Sequence, residues 1–450
     1  MSTQVTIIGG GSYQWGPELM ADLFGTPSLQ GMHLVLQDIN PAPLPKMEAL
    51  AHKLNDALAS QATIATTTDQ RASLEGADFV LVCISTGAFR SMAVDLAVPA
   101  EFGITQTVGD TVGPGGINRA LRNIPVLVGI GQNMQEICPD AWLLNITNPM
   151  TVLTRSICRE TSIKTVGLCH EVGNFCMDLA IALGRPMEAV VPSVTGINHF
   201  PVLTELLVDG NNGFDVIRDL VEEVGGLESL TPYPGRPEAA MFSKRDFAER
   251  HMLKLTMLDR WGTFPAAGDR HIAEFVPFAL TEESEWGATY NIELSPISKR
   301  ERIAAEDIAN VDAWLDGSKT LQTWQSGELP SPIIEAMLTN VPFEAPVNIP
   351  NAGQAPNLPN DVVLESICVI DGDGIRGRDV AILPAPFDEI VRRHTATQEL
   401  TVEAAIRGDR SLAAQAFELD PLAGRGDLRV TEKMIDALLA GTAEWLPQFA

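Results

Sequence analysis

The chain has 450 residues, 45% of them hydrophobic, and carries a formal net charge of −27. A chain of this length is too long for one ordinary hydrophobic core and is predicted to form two domains. The negative charge argues against a nucleic-acid partner, because binding to nucleic acid requires a basic face. No apolar run reaches the length of a membrane span, and the opening residues MSTQVTIIGG lack the basic region of a secretory signal. We therefore expect a cytoplasmic protein that acts on a small molecule.

Strand patterns alternate with helix patterns over the first 195 residues. Strands are predicted in QVTII, MHLVLQDIN, ADFVLVCIST, AWLLNITNP and IKTVGLCH. Helices are predicted in GPELMADLFG, LPKMEALAHKLNDALA, INRALRNIPVLVGIGQNMQEIC and MTVLTRSICRET. This alternation predicts an α/β fold with a doubly wound parallel sheet.

The pattern changes after about residue 195. GINHFPVLTELLVDG is typical of an antiparallel hairpin, and long helical stretches follow, separated by the proline-rich segments TPYPGRP and VPFEAPVNIPNAGQAPNLPN. We predict a first domain over residues 1–195 and a second, mixed α+β domain over residues 196–450.

A glycine triplet between the first strand and the first helix predicts a dinucleotide site. Gly9 and Gly11 match the start of GxGxxG, Gly10 lies between them, and Gln14 stands where the third motif glycine would fall. Asp38 ends the second strand, where a carboxylate accepts hydrogen bonds from the ribose and disfavours a 2′-phosphate, so NAD is favoured over NADP. A tight turn without ligand is the alternative. Further candidate cofactor contacts are Ser12, Ser85 and Asn145.

The segment LLNITNPMTVL resembles the TNP turn of the lactate and malate dehydrogenases. In those enzymes the asparagine lies between cofactor and substrate, which implies the same place for Asn148. An ordinary Asn-Pro turn is the alternative.

Cys169 and His199 each follow a strand-like segment, in GLCHEVGN and in GINHF. A thiolate and an imidazole from neighbouring strand ends can bind a divalent transition metal and leave positions open for substrate oxygens. From spacing alone, a buried cysteine and a hydrogen-bonded core histidine are the better explanation of the pair.

Several motifs occur in the order found in glycoside hydrolase family 4. These are VTIIGGGSYQWGPELM, VGDTVGPGGINRALRNIPV, NITNPMTVLT, TVGLCHEV and GINHF. GTFPAAGDRHIAEFVPF, NAGQAPNLPNDVV and AFELDPLAG are similar to its α-galacturonidase branch. The resemblance covers nearly the whole chain.

The resemblance implies a Rossmann-type fold like that of lactate dehydrogenase, NAD, and Mn²⁺ or another divalent transition metal. It implies Cys169 and His199 as metal ligands and Asn148 as a substrate contact. The first domain would then bind NAD, and the second would hold substrate and metal and form a homodimer or homotetramer. The implied reaction is hydrolysis of an α-linked uronide through transient oxidation at C3, deprotonation at C2, elimination and addition of water.

The acid and base are less directly implied. Some branches have an aspartate after the metal cysteine as acid, whereas this chain has His170, which we assign to catalysis or substrate contact. We predict Asp110 as acid and Asp269 as base. Other branches use a tyrosine as base, and the tyrosines of this chain are Tyr13, Tyr233 and Tyr290.

A uronide carries a carboxylate that an arginine can hold with two hydrogen bonds. Arg119, Arg122 and Arg270 are the candidates, and a salt bridge on a helix face is the favoured alternative for Arg122. The alternatives are another family 4 specificity, such as α-glucuronidase or α-galactosidase, a net NAD-dependent dehydrogenase of a sugar acid or hydroxy acid, or a non-catalytic NAD-binding regulator.

Overall fold

A computed structural model describes residues 2–232, 242–323 and 326–450. Tyr233 and most of TPYPGRP lie outside these ranges. Among these residues, no helix is both long enough and apolar enough to cross a bilayer.

Six parallel strands form one half of the sheet. They are β1 (Gln4–Ile8), β2 (His33–Gln37), β3 (Thr63–Thr67), β4 (Phe79–Val82), β5 (Trp142–Asn145) and β6 (Lys164–Leu168). Their order in the sheet is β3-β2-β1-β4-β5-β6, which is the Rossmann order for two mononucleotide-binding halves. The five strands predicted here are confirmed. β3 went unpredicted because its TIATT pattern is polar.

Seven helices cover this half. They are α1 (Gly16–Gly25), α2 (Leu44–Leu58), α3 (Gln70–Leu74), α4 (Ala88–Glu101), α5 (Gly113–Ile137), α6 (Met150–Glu160) and α7 (Glu171–Leu183). The four predicted helices are confirmed, although α5 begins four residues before the predicted start, with Pro114 in its first turn.

The sheet continues through antiparallel strands. They are β7 (Val190–Ile197), β8 (Phe200–Val208), β9 (Asn211–Asn212), β10 (Phe343–Pro350), β11 (Val363–Asp371) and β12 (Gly374–Gly377). The order runs on from β6 as β10-β11-β7-β8-β9, with β12 beside β11. The hairpin prediction is confirmed by β7 and β8. The domain boundary predicted after residue 195 falls inside β7, so a division there would cut a strand.

The proline-rich segment from residue 341 onward was predicted only to separate helices, and this is wrong. It contains β10, which joins the two halves of the sheet. β10 pairs with β6 only through Val347 and Asn348, so Pro346 lies outside that short ladder and its missing N–H is tolerated.

The remaining helices pack around the antiparallel strands. They are α8 (Gly213–Glu223), α9 (Lys244–Arg250), α10 (Met252–Trp261), α11 (Asp269–Phe275), α12 (Ile297–Asp316), α13 (Pro330–Thr339), α14 (Phe387–Arg407), α15 (Arg410–Leu419) and α16 (Leu428–Gly441). Residues along the strands alternate between two buried apolar clusters, so each face of the sheet has its own core.

The strand register places one row of residues across five neighbouring strands. Asn145 pairs with Gly167, Gly167 with Asn348, Asn348 with Glu365, and Glu365 with Gly196. The loops that follow β5 and β6 and the turn between β7 and β8 leave the sheet just beyond this row. Chain segments far apart in sequence therefore meet at one edge of the sheet.

Candidate active site

The glycine triplet forms a tight turn against the neighbouring strands. Gly9 has φ +93°, and a Cβ there would lie 2.3 Å from the carbonyl oxygen of Cys83. A Cβ on Gly11 would lie 2.7 Å from Oδ2 of Asp38, whose carboxylate accepts a hydrogen bond from the Gly11 N–H at 3.1 Å. The loop is therefore a close-packed cradle with a carboxylate at the end of β2, as a dinucleotide site requires.

The other predicted cofactor contacts differ in their surroundings. Ser12 Oγ accepts the Trp15 N–H at 3.1 Å in the turn before α1, and Ser85 is exposed in the loop after β4. The amide of Asn145 is buried, and both its oxygen and nitrogen bond to Thr147, with a further bond to Thr154. Asn145 therefore shapes the turn that carries Asn148 and has no amide group left for a ligand.

Asn148 and Arg119 meet at the end of β5. The Arg119 Nε donates to the Asn148 carbonyl at 2.9 Å. The Arg119 Nη1 and the Asn148 Oδ1 are buried and have no hydrogen-bond partner among the described residues. A buried guanidinium with an unused donor is costly unless a ligand completes it, so this pair marks a polar ligand site.

A hydrogen-bonded chain joins the loop before α5 to the β7–β8 turn. Thr111 Oγ1 donates to Asp110 Oδ1 at 2.8 Å and lies 2.8 Å from His199 Nδ1. His199 has φ +66°, which is unusual outside glycine and fits a tight two-residue hairpin turn. All three side chains are buried.

His271 stacks on His199, with ring centroids 3.8 Å apart and an interplanar angle of 22°. The ligand-capable atoms of Asp110, His199 and His271 all lie within 4.8 Å of one another. Since the two ring planes are nearly parallel, the face of His271 packs against the face of His199 and restricts its orientation. Burial lowers the pKa of both imidazoles and favours the neutral form that can bind a metal.

Asp110 lies among positively charged groups. Burial alone would raise the pKa of its carboxyl group, but nearby positive charge, including that of Arg300 and Arg119, lowers this pKa below its usual value. A carboxyl that stays ionised at neutral pH cannot donate a proton, so the acid role predicted for Asp110 does not suit its surroundings.

Asp269 has a structural role in this arrangement. Its Oδ1 accepts from Lys254 Nζ at 2.7 Å and its Oδ2 from the Leu253 N–H at 2.8 Å, and the Lys254 side chain is fully buried. Both oxygens are therefore engaged at the start of α11. His271 and Glu274 lie on the same helix.

Cys169 lies directly after β6 in a buried polar environment formed by Glu365, Glu171 and Asn198. Burial, and then the two carboxyl groups, raise the pKa of its thiol well above the usual value. The Asn198 Nδ2 donates to Glu365 Oε2 at 3.2 Å, whereas Glu365 Oε1 and Asn198 Oδ1 are buried without a hydrogen-bond partner among the described residues.

His170 follows Cys169 and is paired with glutamates. Its Nδ1 lies 2.7 Å from Glu328 Oε1, its Nε2 lies 3.9 Å from Glu171 Oε1, and its ring centroid is 6.3 Å from that of Trp15. The hydrogen bond to Glu328 raises the pKa of His170 despite partial burial. The side chain is 37% exposed, so a ligand can reach His170.

The three candidate arginines occupy different places. Arg122 is fully buried and forms a two-bond pair with Asp95 at 2.9 and 2.5 Å, which confirms its predicted role in a salt bridge, although the partner lies on another helix. Arg270 is 43% exposed, with its Nη2 3.7 Å from Glu171 Oε1. Arg119 alone of the three has a buried, unused donor.

Glu274 holds the loop that carries Asp110. Its Oε1 accepts from the Val108 and Gly109 N–H groups, both at 2.8 Å, and its Oε2 is buried without a hydrogen-bond partner among the described residues. Burial, with a contribution from the charge of Asp110, raises the pKa of Glu274 from 4.5 to about 7.

We expect Glu274→Gln to remove a pH-dependent loss of stability. Between pH 4.5 and about 7 the native Glu274 binds a proton that the unfolded chain has released, so the stability of the wild type falls as pH rises through this window. The variant should gain on the wild type by at most about 1.4 kcal/mol per pH unit. Chemical denaturation at pH 5, 6, 7 and 8 measures the difference, and a constant gap between the two proteins would contradict the assignment.

Comparison with known proteins decides the family. The profile described as "Family 4 glycosyl hydrolase" matches residues 4–185, and that of the "Family 4 glycosyl hydrolase C-terminal domain" matches residues 194–423. This chain is a family 4 glycosyl hydrolase. It is 32% identical to an alpha-galactosidase of Bacillus subtilis, covering 99% of each chain, and 30% identical to an alpha-galacturonidase of Lachnoclostridium phytofermentans, covering 99% of this chain and 97% of that one.

Solved structures confirm the fold of this family 4 chain. A Bacillus subtilis protein described as a candidate glucosidase has a TM-score of 0.87 and 30% identity, covering 97% of this chain and 100% of that one. A 6-phospho-alpha-glucosidase from gut microorganisms, solved with NAD and Mn²⁺, has a TM-score of 0.80, 19% identity and 99% coverage of both chains. Malate dehydrogenase from Plasmodium falciparum has a TM-score of 0.52 and 12% identity, covering 91% of this chain and 99% of that one. The predicted dehydrogenase-like fold is thus confirmed.

Several residues of the site were not singled out from the sequence. They are Thr111, Glu171, Asn198, Arg300, Glu328 and Glu365. Thr111, Glu171 and Asn198 each adjoin a residue that was singled out, and this adjacency was the available signal. Glu328 and Glu365 reach the site across 158 and 167 residues of sequence, and no local pattern marks them.

Proposed function

We propose that the enzyme hydrolyses α-linked galacturonides. The reaction passes through transient oxidation at C3, removal of the C2 proton, elimination of the aglycone and addition of water, after which C3 is reduced again. The hydride that leaves C3 returns to it, so the net change is hydrolysis alone.

The observation that carries the uronide proposal is the unused donor of Arg119. Its Nη1 is buried without a hydrogen-bond partner among the described residues, beside the unsatisfied Asn148 Oδ1. A substrate carboxylate would complete the guanidinium, and sugar hydroxyls would satisfy the asparagine. The similarity to alpha-galacturonidases at 30–32% identity supports this choice.

The residues suit both cofactors that the relatives suggest. The glycine cradle and Asp38 fit NAD, and the neutral imidazole of His199 with the buried thiol of Cys169 offers nitrogen and sulfur ligands to Mn²⁺ or another divalent transition metal. When bound, NAD would accept and return a hydride, and the metal would act as a Lewis acid toward neighbouring sugar hydroxyls. A family relative solved with NAD and Mn²⁺ supports this assignment.

We propose the following roles for the protein groups. Asp110, which stays ionised, accepts a proton or a hydroxyl hydrogen bond instead of donating one. His170, whose pKa is raised by Glu328, is the proton donor near the aglycone or a second contact for the uronide carboxylate. Asp269 holds α11, and Arg270 contacts substrate at the exposed rim. The two-domain division, the cytoplasmic location and a homodimer or homotetramer stay part of this proposal.

A substrate panel tests the proposal. Aryl α-galacturonide, α-galactoside, α-glucuronide and 6-phospho-α-glucoside are incubated separately with enzyme, NAD⁺ and Mn²⁺. We expect aglycone release from the galacturonide without accumulation of NADH. Preferential cleavage of the galactoside would favour the second candidate function, which the 32% identity to an alpha-galactosidase supports. NADH formed in proportion to substrate would indicate a net dehydrogenase.

A further inference from the structure

The chain of hydrogen bonds from Asp110 through Thr111 to His199 specifies which ring nitrogen of His199 carries hydrogen. Thr111 Oγ1 is 2.8 Å from Asp110 Oδ1 and 2.8 Å from His199 Nδ1. A hydroxyl has one hydrogen to donate and lone pairs to accept with. The hydroxyl can therefore donate that hydrogen either to Asp110 or to His199.

The Thr111 hydroxyl donates to Asp110 Oδ1 at 2.8 Å, and a carboxylate oxygen accepts in such a contact. If the Thr111 hydrogen pointed at His199 instead, the hydroxyl oxygen and the carboxylate oxygen would face each other at 2.8 Å with no hydrogen between them. Such a buried contact between two oxygens is repulsive. When Thr111 donates to Asp110, a charge-assisted hydrogen bond forms in its place, and this arrangement is therefore favoured. The hydroxyl is then left to accept from the His199 Nδ1–H.

We infer that Thr111 is a positioning residue that holds His199 in the tautomer with hydrogen on Nδ1, so that the Nε2 lone pair is free to bind the metal. The hydrogen bond also fixes the ring plane of a residue that already lies in a strained turn with φ +66°, and His271 supports the ring from the other side at 3.8 Å. Outer hydrogen bonds of this kind orient metal-binding histidines and raise their affinity. The inference rests on the proposed function only in that His199 binds the metal.

A matched pair of variants tests the role. Thr111→Val removes the hydroxyl at nearly constant side-chain volume, and Thr111→Ser keeps it. In calorimetric titrations with Mn²⁺ alone, we expect Thr111→Val to bind about 10- to 100-fold more weakly than the wild type and Thr111→Ser to bind as the wild type does. Thermal melting of the metal-free proteins shows whether both variants are folded.

The His199→Ala variant distinguishes failure of the role of Thr111 from failure of the metal assignment of His199. If His199→Ala loses Mn²⁺ binding while Thr111→Val keeps wild-type affinity, the role of Thr111 is refuted and the metal site stands. If His199→Ala binds Mn²⁺ as the wild type does, the metal lies elsewhere, and the metal assignment of the proposed function fails together with this inference.

The tautomer can also be observed directly in the metal-free enzyme. The chain has seven histidines, so two-bond ¹H–¹⁵N correlation spectra of histidine-labelled protein are simple enough to assign His199 by its loss in His199→Ala. We expect the Nδ1–H form in the wild type and in Thr111→Ser. An Nε2–H form of His199 in the wild type would overturn the inference, even if Thr111→Val fails to fold.

Discussion

Replacing His199 by alanine should lower kcat for an aryl α-galacturonide by at least about 10³-fold, because Lewis-acid stabilisation of developing negative charge contributes several kcal/mol. His199 is buried and hydrogen-bonded to Thr111, and the ring of His271 is stacked against it. Cys169→Ser should have a comparable effect if the thiolate is the second ligand. The measurement is steady-state kinetics at saturating NAD⁺ and Mn²⁺.

The cysteines provide a matched control for this prediction. Cys176 lies on α7, seven residues from Cys169, and is buried in the apolar core. Cys176→Ser should keep nearly full activity, and NAD⁺ affinity should be unchanged in all three variants because the glycine cradle lies on other elements. Equal losses in Cys169→Ser and Cys176→Ser would show a packing effect and contradict the ligand role of Cys169.

Replacing Arg119 by methionine should remove the preference for uronides. Removing one partner of a buried, hydrogen-bonded charge pair costs about 2–5 kcal/mol, so kcat/KM for the galacturonide should fall by roughly 10²- to 10³-fold. The same parameter for the matching neutral galactoside should change much less, since its C6 hydroxyl has no charge to lose. The ratio of the two kcat/KM values is therefore the informative quantity.

Arg270 is the control for position and charge. It is 43% exposed and interacts with Glu171 at 3.7 Å, and Arg270→Met should lower both kcat/KM values modestly and leave their ratio nearly unchanged. If Arg119→Met lowered turnover of both substrates equally, Arg119 would support the Asn148 turn and would not recognise the uronide carboxylate.

The parallel half of the fold could be predicted from sequence because each of its elements has a local signal. Buried strands such as QVTII and amphipathic helices such as α2 are recognised by the spacing of their apolar residues. The glycine triplet marks the turn between the first strand and the first helix. β10 could not be predicted, because its proline-containing pattern is indistinguishable from a loop until β6 and β11 supply pairing partners on both sides. Tertiary pairing decided the conformation of that segment.

The residues of the site likewise divide into those that could be predicted from the sequence and those that could not. Arg119, Asn148 and His199 were predicted, and the structure places each of them among buried polar groups at the site. Asp269 was predicted as base in place of the tyrosine that other branches of the family use, yet its carboxylate pairs with the buried Lys254. That pair is separated by 15 residues and the contact between Thr111 and His199 by 88 residues. Neither contact is visible in a local sequence pattern.

The proposed chemistry is tested most directly by the fate of the hydrogen at C2 of the sugar. An aryl α-galacturonide is hydrolysed with NAD⁺ and Mn²⁺ in deuterium oxide, and the released sugar acid is analysed by NMR and mass spectrometry while NADH absorbance is followed. We expect one deuterium at C2 in each product molecule, retention of the original hydrogen at C3, and no net NADH. Complete hydrolysis with the C2 hydrogen retained would contradict removal of that proton and, with it, the elimination route.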